Sequence, residues 1–153
     1  MAPDNAFEFV STLALVGWTL LATAVACKPG VMRDRLLQMS GRFVPLLLCT
    51  CYVALLVQHW GSAPGGNFGS LEGVTTLFAS PGKLVGGWVH FLAFDLWLGR
   101  WMVDDLEAKQ RSRWLLLPCL PLTFLFGPAG LLLHCGLFAA PLPRAGLVEA
   151  RGE

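Results

Sequence analysis

The sequence carries few charges for its length. Charged side chains make up 14% of its 153 residues, whereas a soluble domain carries about 25%. The formal net charge is only +1, so the chain offers no basic face for nucleic acid. The hydrophobic fraction reaches 55%. A chain of this length fits one compact domain, which leaves little room for a soluble domain beside a membrane-embedded part.

The five cysteines form neither a disulfide framework nor a zinc motif. No CxxC pair is present, and the thiols of Cys49 and Cys51 would point in different directions on a helix. Each cysteine lies in or at the edge of an apolar run: Cys27, Cys49, Cys51, Cys119 and Cys135. We therefore interpret them as small apolar side chains and predict no metal site.

Four apolar runs are long enough, or nearly so, to cross a bilayer as helices. A spanning helix needs about 20 predominantly apolar residues. The predicted spans are 9–27, 43–59, 81–102 and 116–140. They predict an all-α polytopic membrane protein, with four transmembrane helices in a small bundle that forms a single membrane domain over 1–153.

The first run could alternatively be a cleaved signal peptide, because Ala24-Val25-Ala26 resembles a cleavage site. The region before it, however, has no Lys or Arg and carries Asp4 and Glu8. Further spans follow, so a retained helix is favoured.

The connection between the second and third spans has two parts. Residues 61–69 have the composition of a loop. Residues 70–79 are predicted to form a short amphipathic helix at the membrane surface, before the third span. Ser80 followed by Pro81 favours the start of a new helix, with Ser as the cap and Pro in the first turn.

The fourth run is longer than one crossing requires. Its prolines should break or kink it, and the excess length is expected to be taken up by tilt or an irregular start. These prolines are Pro118, Pro121 and Pro128. Residues 144–153 are predicted to form a flexible tail.

Basic residues are distributed unequally between the two sides of the predicted bundle. One side holds eight of them: Lys28, Arg33, Arg35, Arg42, Arg100, Lys109, Arg111 and Arg113. The other side holds Lys83, Arg144 and Arg151. Because basic loops stay inside, both termini are predicted on the outer or lumenal side of a bacterial inner membrane or a thylakoid-type membrane.

The third predicted span contains ionisable residues, which are costly in a bilayer and are therefore functional candidates. Asp95 would lie roughly 17–21 Å into the bilayer, at about 1.5 Å per residue. It should be protonated, paired or open to a polar cavity. The alternative is a structural partnership with another helix. Arg100 can snorkel to the inner interface or pair with Asp104.

Helix direction brings two histidines to a similar predicted depth. The third and fourth spans run in opposite directions, so His90 and His134 would each lie about 9 Å or more below the outer surface. They could share a cavity, or the match could be a coincidence. His90 and Asp95 are about 140° apart around an ideal helix, so a site that uses both needs a cavity that wraps the third span.

Three further residues are candidates for the wall of a substrate cavity: Trp88, Arg100 and Pro128. Trp88 shares a stripe of the third span with Asp95. Pro128 removes one backbone hydrogen bond in a glycine-rich part of the fourth run. Irregular backbone of this kind could shape a slot for a long apolar ligand, or it could be a plain kink.

Several of these residues recur together in one known family. The residues that carry the likeness are Trp88-Val89-His90, Asp95-Leu96, Arg100, Gly127-Pro128-Ala129-Gly130 and His134, with Pro45, Tyr52-Val53 and Leu77-Phe78-Ala79-Ser80. In this order and spacing they resemble the abscisic-acid-deficient-4-like family of membrane proteins. The resemblance covers most of the chain, from about the first span to His134.

The resemblance implies a membrane isomerase of carotenoid metabolism. Plant members of the family are linked to the conversion of violaxanthin into neoxanthin, in which an epoxide becomes an allenic alcohol without redox change or redox cofactor. The expected partners are the lipid bilayer and a hydrophobic polyene. On chemical grounds Asp95 is the candidate acid, and His90 or His134 is the candidate base.

A second interpretation is a membrane protein that binds a carotenoid without converting it. A b-type haem between His90 and His134 is a further form of this interpretation, since no CxxCH motif is present. A small transporter is disfavoured, because the sequence shows no inverted repeat.

Overall fold

A computed structural model describes residues 2–138, and this part of the chain is helical and contains no strand. Its helices are α1 (Pro3–Ala26), α2 (Val31–Gln38), α3 (Val44–Gln58), α4 (Leu71–Ala79), α5 (Pro81–Ala108) and α6 (Cys119–Phe138). A π-helical turn (Met39–Phe43) joins α2 to α3, and a 3₁₀ turn (Arg113–Leu116) precedes α6. The predicted all-α class is confirmed, and the predicted tail at 144–153 lies outside the described residues.

The first helix, α1, is longer than the predicted first span. Pro3 occupies its first turn, where a missing N–H is tolerated, and the helix ends at Ala26. Gly17 lies on its buried face, where a Cβ would collide with Val44 and Leu96. The absence of a side chain at this position therefore lets α3 and α5 approach α1 closely.

The basic segment 28–42, which lies between the first two predicted spans and was expected to connect them as a loop, is largely helical. Gly30 has a φ of 152°, which side chains rarely adopt, and α2 begins directly after it. α2 then continues through the π-helical turn into α3 as one continuous helix. Arg33 of α2 is buried, donates to the Ala24 carbonyl oxygen and pairs with Glu107. These contacts hold α2 against α1 and α5.

The short helix predicted before the third span is α4. Ser70 caps it by accepting a hydrogen bond from the Gly73 backbone N–H at 3.0 Å. α5 begins after Ser80 and is the central helix, since it packs against α1, α3, α4 and α6. Its 28 residues span about 42 Å at 1.5 Å per residue.

Helices α3 and α5 lie antiparallel along their length. His59, just after α3, packs on Gly82, and Gly41, in the π-helical turn before α3, packs against Arg100. Pro3 lies near His59, because both line one surface depression. We call this end of the bundle the N-terminal end, and the opposite end, which holds Arg100, the basic end.

The last helix, α6, is folded back on itself. Phe126 has non-helical dihedral angles (φ −145°, ψ 61°) and divides α6 into two arms, 119–125 and 127–138. The arms pack on each other, since a Cβ on Gly130 would collide with the hydroxyl and backbone of Thr123. In a straight helix, residues seven apart are about 10 Å from each other. The contact therefore requires the chain to reverse at Phe126.

The reversal is also visible in the contacts of α6 with α5. Gly127, at the tip of the hairpin, packs on Asp95 in the middle of α5. His134, in the second arm, hydrogen-bonds Asp105, ten residues nearer the basic end. The chain thus enters the bundle from the basic end, reaches its middle and returns to the basic end.

The predicted count of four spans is corrected by this fold. By length and composition three helices can cross a membrane: α1, Val31–Gln58 and Cys119–Phe138. The arms of the last are about 10 and 18 Å long, too short for a hydrocarbon core of about 30 Å. The run predicted as a span at 116–140 is a helical hairpin in its described part. Phe138 packs on Arg111 at the basic end, with 5.8 Å between ring centroid and guanidinium carbon.

Candidate functional site

A cavity of about 590 Å³ lies between α3, α4 and α5 near the N-terminal end. Its walls are mainly apolar and aromatic, and include Leu56, Trp60, Phe68, Leu77, Phe78 and Phe91. Tyr52, Lys83 and His90 supply polar groups to the same walls. A mainly apolar cavity with a few polar groups is typical of a small-molecule site. We therefore take it as the candidate functional site.

The secondary structure explains why these polar groups meet. Lys83, Gly87 and His90 follow one another at spacings of four and three residues, which places them on one face of α5. Gly87 lets α4 pack closely on α5, because a Cβ there would collide with the Phe78 ring of α4. Tyr52 approaches from α3, which runs antiparallel to α5.

The His90 ring is exposed and surrounded by other aromatic rings. Its centroid lies 4.7 Å from that of Phe94, and 5.9 Å from those of Tyr52 and Phe91. Within residues 2–138 no hydrogen bond holds either imidazole nitrogen. The ring is thus fixed by packing, while its nitrogens stay available to a ligand.

Asp95 lies on a different face of α5, as the 140° separation from His90 predicts. Its carboxylate packs on Gly127 at the tip of the α6 hairpin, where a Cβ would collide with it. The second arm of α6 begins at this point. The contact favours the structural alternative for Asp95, as a partner of another helix.

The structure does not bring His134 to His90. His134 is 1% exposed, and its Nε2 lies 2.9 Å from Oδ2 of Asp105, which also binds Lys109 Nζ at 2.7 Å. Asp105 is 15 residues beyond His90 on α5, or about 22 Å along the helix. One haem iron cannot be ligated by both histidines at this separation. The shared cavity expected from helix depth is absent because α6 turns back at Phe126.

The three predicted cavity-wall residues lie in three separate places. Trp88 is directed at α1, where its Nε1 donates to Ser11 Oγ at 3.0 Å. Pro128 lies in the first turn of the second arm of α6, a position where its missing N–H is tolerated. Arg100 pairs with Asp104, the partner predicted for it.

Arg100 also lines a second cavity, at the basic end. This groove of about 730 Å³ lies between α5, α2 and the π-helical turn. Its charged residues are Arg33, Arg35, Arg42, Arg100, Asp34, Asp104 and Glu107. Trp97 and Trp101 line its α5 side. The two cavities thus lie toward opposite ends of the same helix.

Sequence reasoning missed Tyr52 and Lys83 as site residues. Tyr52 is the one tyrosine of the chain and lies inside a span, which was an available signal. Lys83 precedes His90 by two helical turns, which places both on one face. Their meeting with Tyr52 depends on the pairing of α3 with α5, which no local pattern specifies.

Comparison with known proteins identifies a family for most of the chain. The model of a family described as ABA DEFICIENT 4-like matches residues 5–134. No curated protein and no solved structure matches the chain significantly. The match includes the candidate site and most of the α6 hairpin.

Proposed function

Because the chain belongs to the ABA DEFICIENT 4-like family, we propose that it isomerises an epoxide on the end group of a carotenoid-like polyene to an allenic alcohol. The family is related to neoxanthin synthesis, which includes a conversion of this type. The substrate would enter from the lipid phase, since the chain is an integral membrane protein. The reaction changes no oxidation state and therefore needs no redox cofactor.

We further propose a membrane arrangement of three crossings and one re-entrant hairpin. α1 and the continuous helix 31–58 are two of the crossings, and α5 is the third because it lies antiparallel to α3 along its length. The ionisable residues of α5 lower its apolar character, but packing against four other helices shields much of its surface. The basic end would face the inner side.

One observation carries the proposal: the mainly apolar cavity beside His90 also contains Tyr52 and Lys83. An apolar end group fits apolar walls, and an epoxide oxygen needs a proton donor close by. Removal of the carbon-bound hydrogen needs a base, placed on the other side of the C–O bond that breaks. These requirements match the side chains present in this cavity better than the predicted set of Asp95, His90 and His134.

We assign the base to His90 and the acid to Tyr52. The His90 imidazole would take the proton from carbon as the allene forms, while the Tyr52 hydroxyl gives its proton to the oxygen as the C–O bond breaks. Transfer of the proton from His90 to the Tyr52 phenolate would then restore both groups. Lys83, two turns from His90, would orient the end group by donating a hydrogen bond to it.

The test is a pigment comparison in a host that makes an epoxycarotenoid. The unmodified chain should produce an allenic carotenoid, and His90→Gln should lower its formation by roughly 10²–10⁴-fold, the usual worth of a positioned acid or base. Tyr52→Phe should cause a similar loss, because the aromatic ring remains and only the hydroxyl is removed. Trp114→Phe, on an exposed ring outside the cavity, is the control. Full conversion by both site variants at equal protein level would refute the assignment.

Binding without conversion is the second candidate, and the same cavity favours it. A carrier would retain the polyene after purification, and its host would show no new pigment. The His90→Gln variant would then change the colour of the purified protein without changing the pigment profile of the host.

A further inference from the structure

An aromatic stripe on α5 runs from the cavity beside His90 to the groove at the basic end. Phe94, Trp97 and Trp101 continue the face of Lys83, Gly87 and His90 at spacings of three and four residues. Their exposed fractions are 55%, 54% and 37%. No other described helix covers this stripe fully, so it is open to a ligand lying along α5.

Both ends of the stripe are polar, whereas its middle is not. Lys83 and His90 lie at one end, and Arg100 and Asp104 line the groove at the other. From Lys83 to Asp104 the helix rises through 21 residues, or about 32 Å. This length is close to the hydrocarbon thickness of about 30 Å. The stripe therefore matches a rigid apolar rod with one polar group at each end.

The charge of the groove favours a neutral polar group over a phosphate. Its four guanidinium groups are opposed by three carboxylates, so its formal charge is only +1. Arg33 is paired with Glu107, and Arg100 with Asp104. Two exposed arginines of the groove remain, Arg35 and Arg42. Arg42 adjoins Gly41, which packs against Arg100 of α5, so it is the cation that we assign to donate a hydrogen bond to an incoming oxygen.

We propose that the groove at the basic end binds the second end group of the polyene, while the aromatic stripe holds its conjugated chain. This inference rests on the proposed function, because it extends the same substrate from the cavity beside His90. In this arrangement Phe94 and Trp97 position the conjugated chain, and Arg42 recognises an oxygen on the ring of the second end group. The preferred ligand is accordingly a carotenoid with oxygen on both rings.

The test measures equilibrium binding of pure carotenoids to the full chain in phosphatidylcholine vesicles. Tryptophan emission reports binding, because a polyene quenches it, and the titration midpoint gives Kd. A carotenoid hydroxylated on both rings should bind about tenfold more tightly than one hydroxylated on a single ring, the usual effect of one hydrogen bond to a charged donor. The unsubstituted carotene should bind more weakly still.

Two variants locate the contacts. Phe94→Ala, which leaves every tryptophan in place, should raise Kd at least fivefold for all three ligands. Arg42→Gln should raise Kd only for the doubly hydroxylated ligand and remove its advantage. Leu132→Ala, on a lipid-exposed side chain of α6, and Lys28→Gln, outside the groove, are the matched controls and should bind normally.

Each contrary result has a definite meaning. Equal binding of the three carotenoids, or unchanged binding by Phe94→Ala and Arg42→Gln, would overturn the inference even if the host forms an allenic pigment. Competition by anionic phospholipid that disappears in Arg42→Gln would assign the groove to a lipid headgroup and also overturn it. Stripe-dependent binding without any pigment conversion would support the inference and refute the isomerase.

Discussion

At the scale of single residues, the two histidines that look alike in the sequence have opposite environments. His90 is exposed to a cavity and packs among neighbouring aromatic rings. His134 is buried, hydrogen-bonded to Asp105 and packed between Trp101 and Phe138. A group that reacts with a ligand must be accessible, whereas a buried and paired group holds helices together. The environment thus favours a chemical role for His90 and a structural one for His134.

Replacement of His134 tests this division. His134→Leu removes one of the two partners of the largely buried Asp105 carboxylate, so the free energy of unfolding should fall by about 1–3 kcal/mol. The conversion rate per folded molecule should stay within twofold of the unmodified chain, because His134 lies far from the cavity. Thermal unfolding in detergent and pigment conversion are the measurements, and Cys135→Ala, on the exposed neighbour, is the control. A loss of conversion with normal stability would show that His134 takes part in the reaction.

At the scale of elements, α2 and α6 show where sequence reasoning reached its limit. The start of α5 at Pro81 and the cap at Ser70 follow from local chemistry, and both were predictable. α6 was not, because a hairpin inside a membrane has the same apolar composition as a straight span. The reversal depends on contact between Thr123 and Gly130, which lie on opposite arms. Similarly, the charges of α2 are typical of a loop. The guanidinium of Arg33 can nevertheless be buried, because it binds the Ala24 carbonyl oxygen of α1 and Glu107 of α5.

The hairpin makes a prediction about membrane sides. In a background with the five cysteines replaced by alanine, Gly136→Cys should be labelled from the same side as Ser112→Cys. Glu72→Cys, on exposed α4, should be labelled from the other side. A Cβ at Gly136 meets nothing within 4 Å, so this substitution should not disturb the fold. Labelling of Gly136→Cys from the same side as Glu72→Cys would contradict the hairpin and show that α6 crosses the membrane as a fourth span.

At the scale of the whole molecule, the two ends of the bundle have different chemistry. The N-terminal end holds the cavity, where Tyr52, Lys83 and His90 bring polar groups to a mainly apolar space. At the basic end the Arg33–Glu107 ion pair links α2 to α5, and the His134–Asp105 hydrogen bond links α5 to the α6 hairpin. The proposed reaction takes place at the N-terminal end, whereas the basic end holds the helices together and, as inferred above, binds the second end group.

The most direct test is conversion by the purified protein. The full chain, reconstituted in phosphatidylcholine vesicles with an epoxycarotenoid and no added cofactor, should form an allenic product of unchanged mass. The rate should fall by roughly 10²–10⁴-fold in His90→Gln, while Cys135→Ala converts normally. Conversion by His90→Gln at the unmodified rate, or a requirement for an oxidant or reductant, would contradict the account.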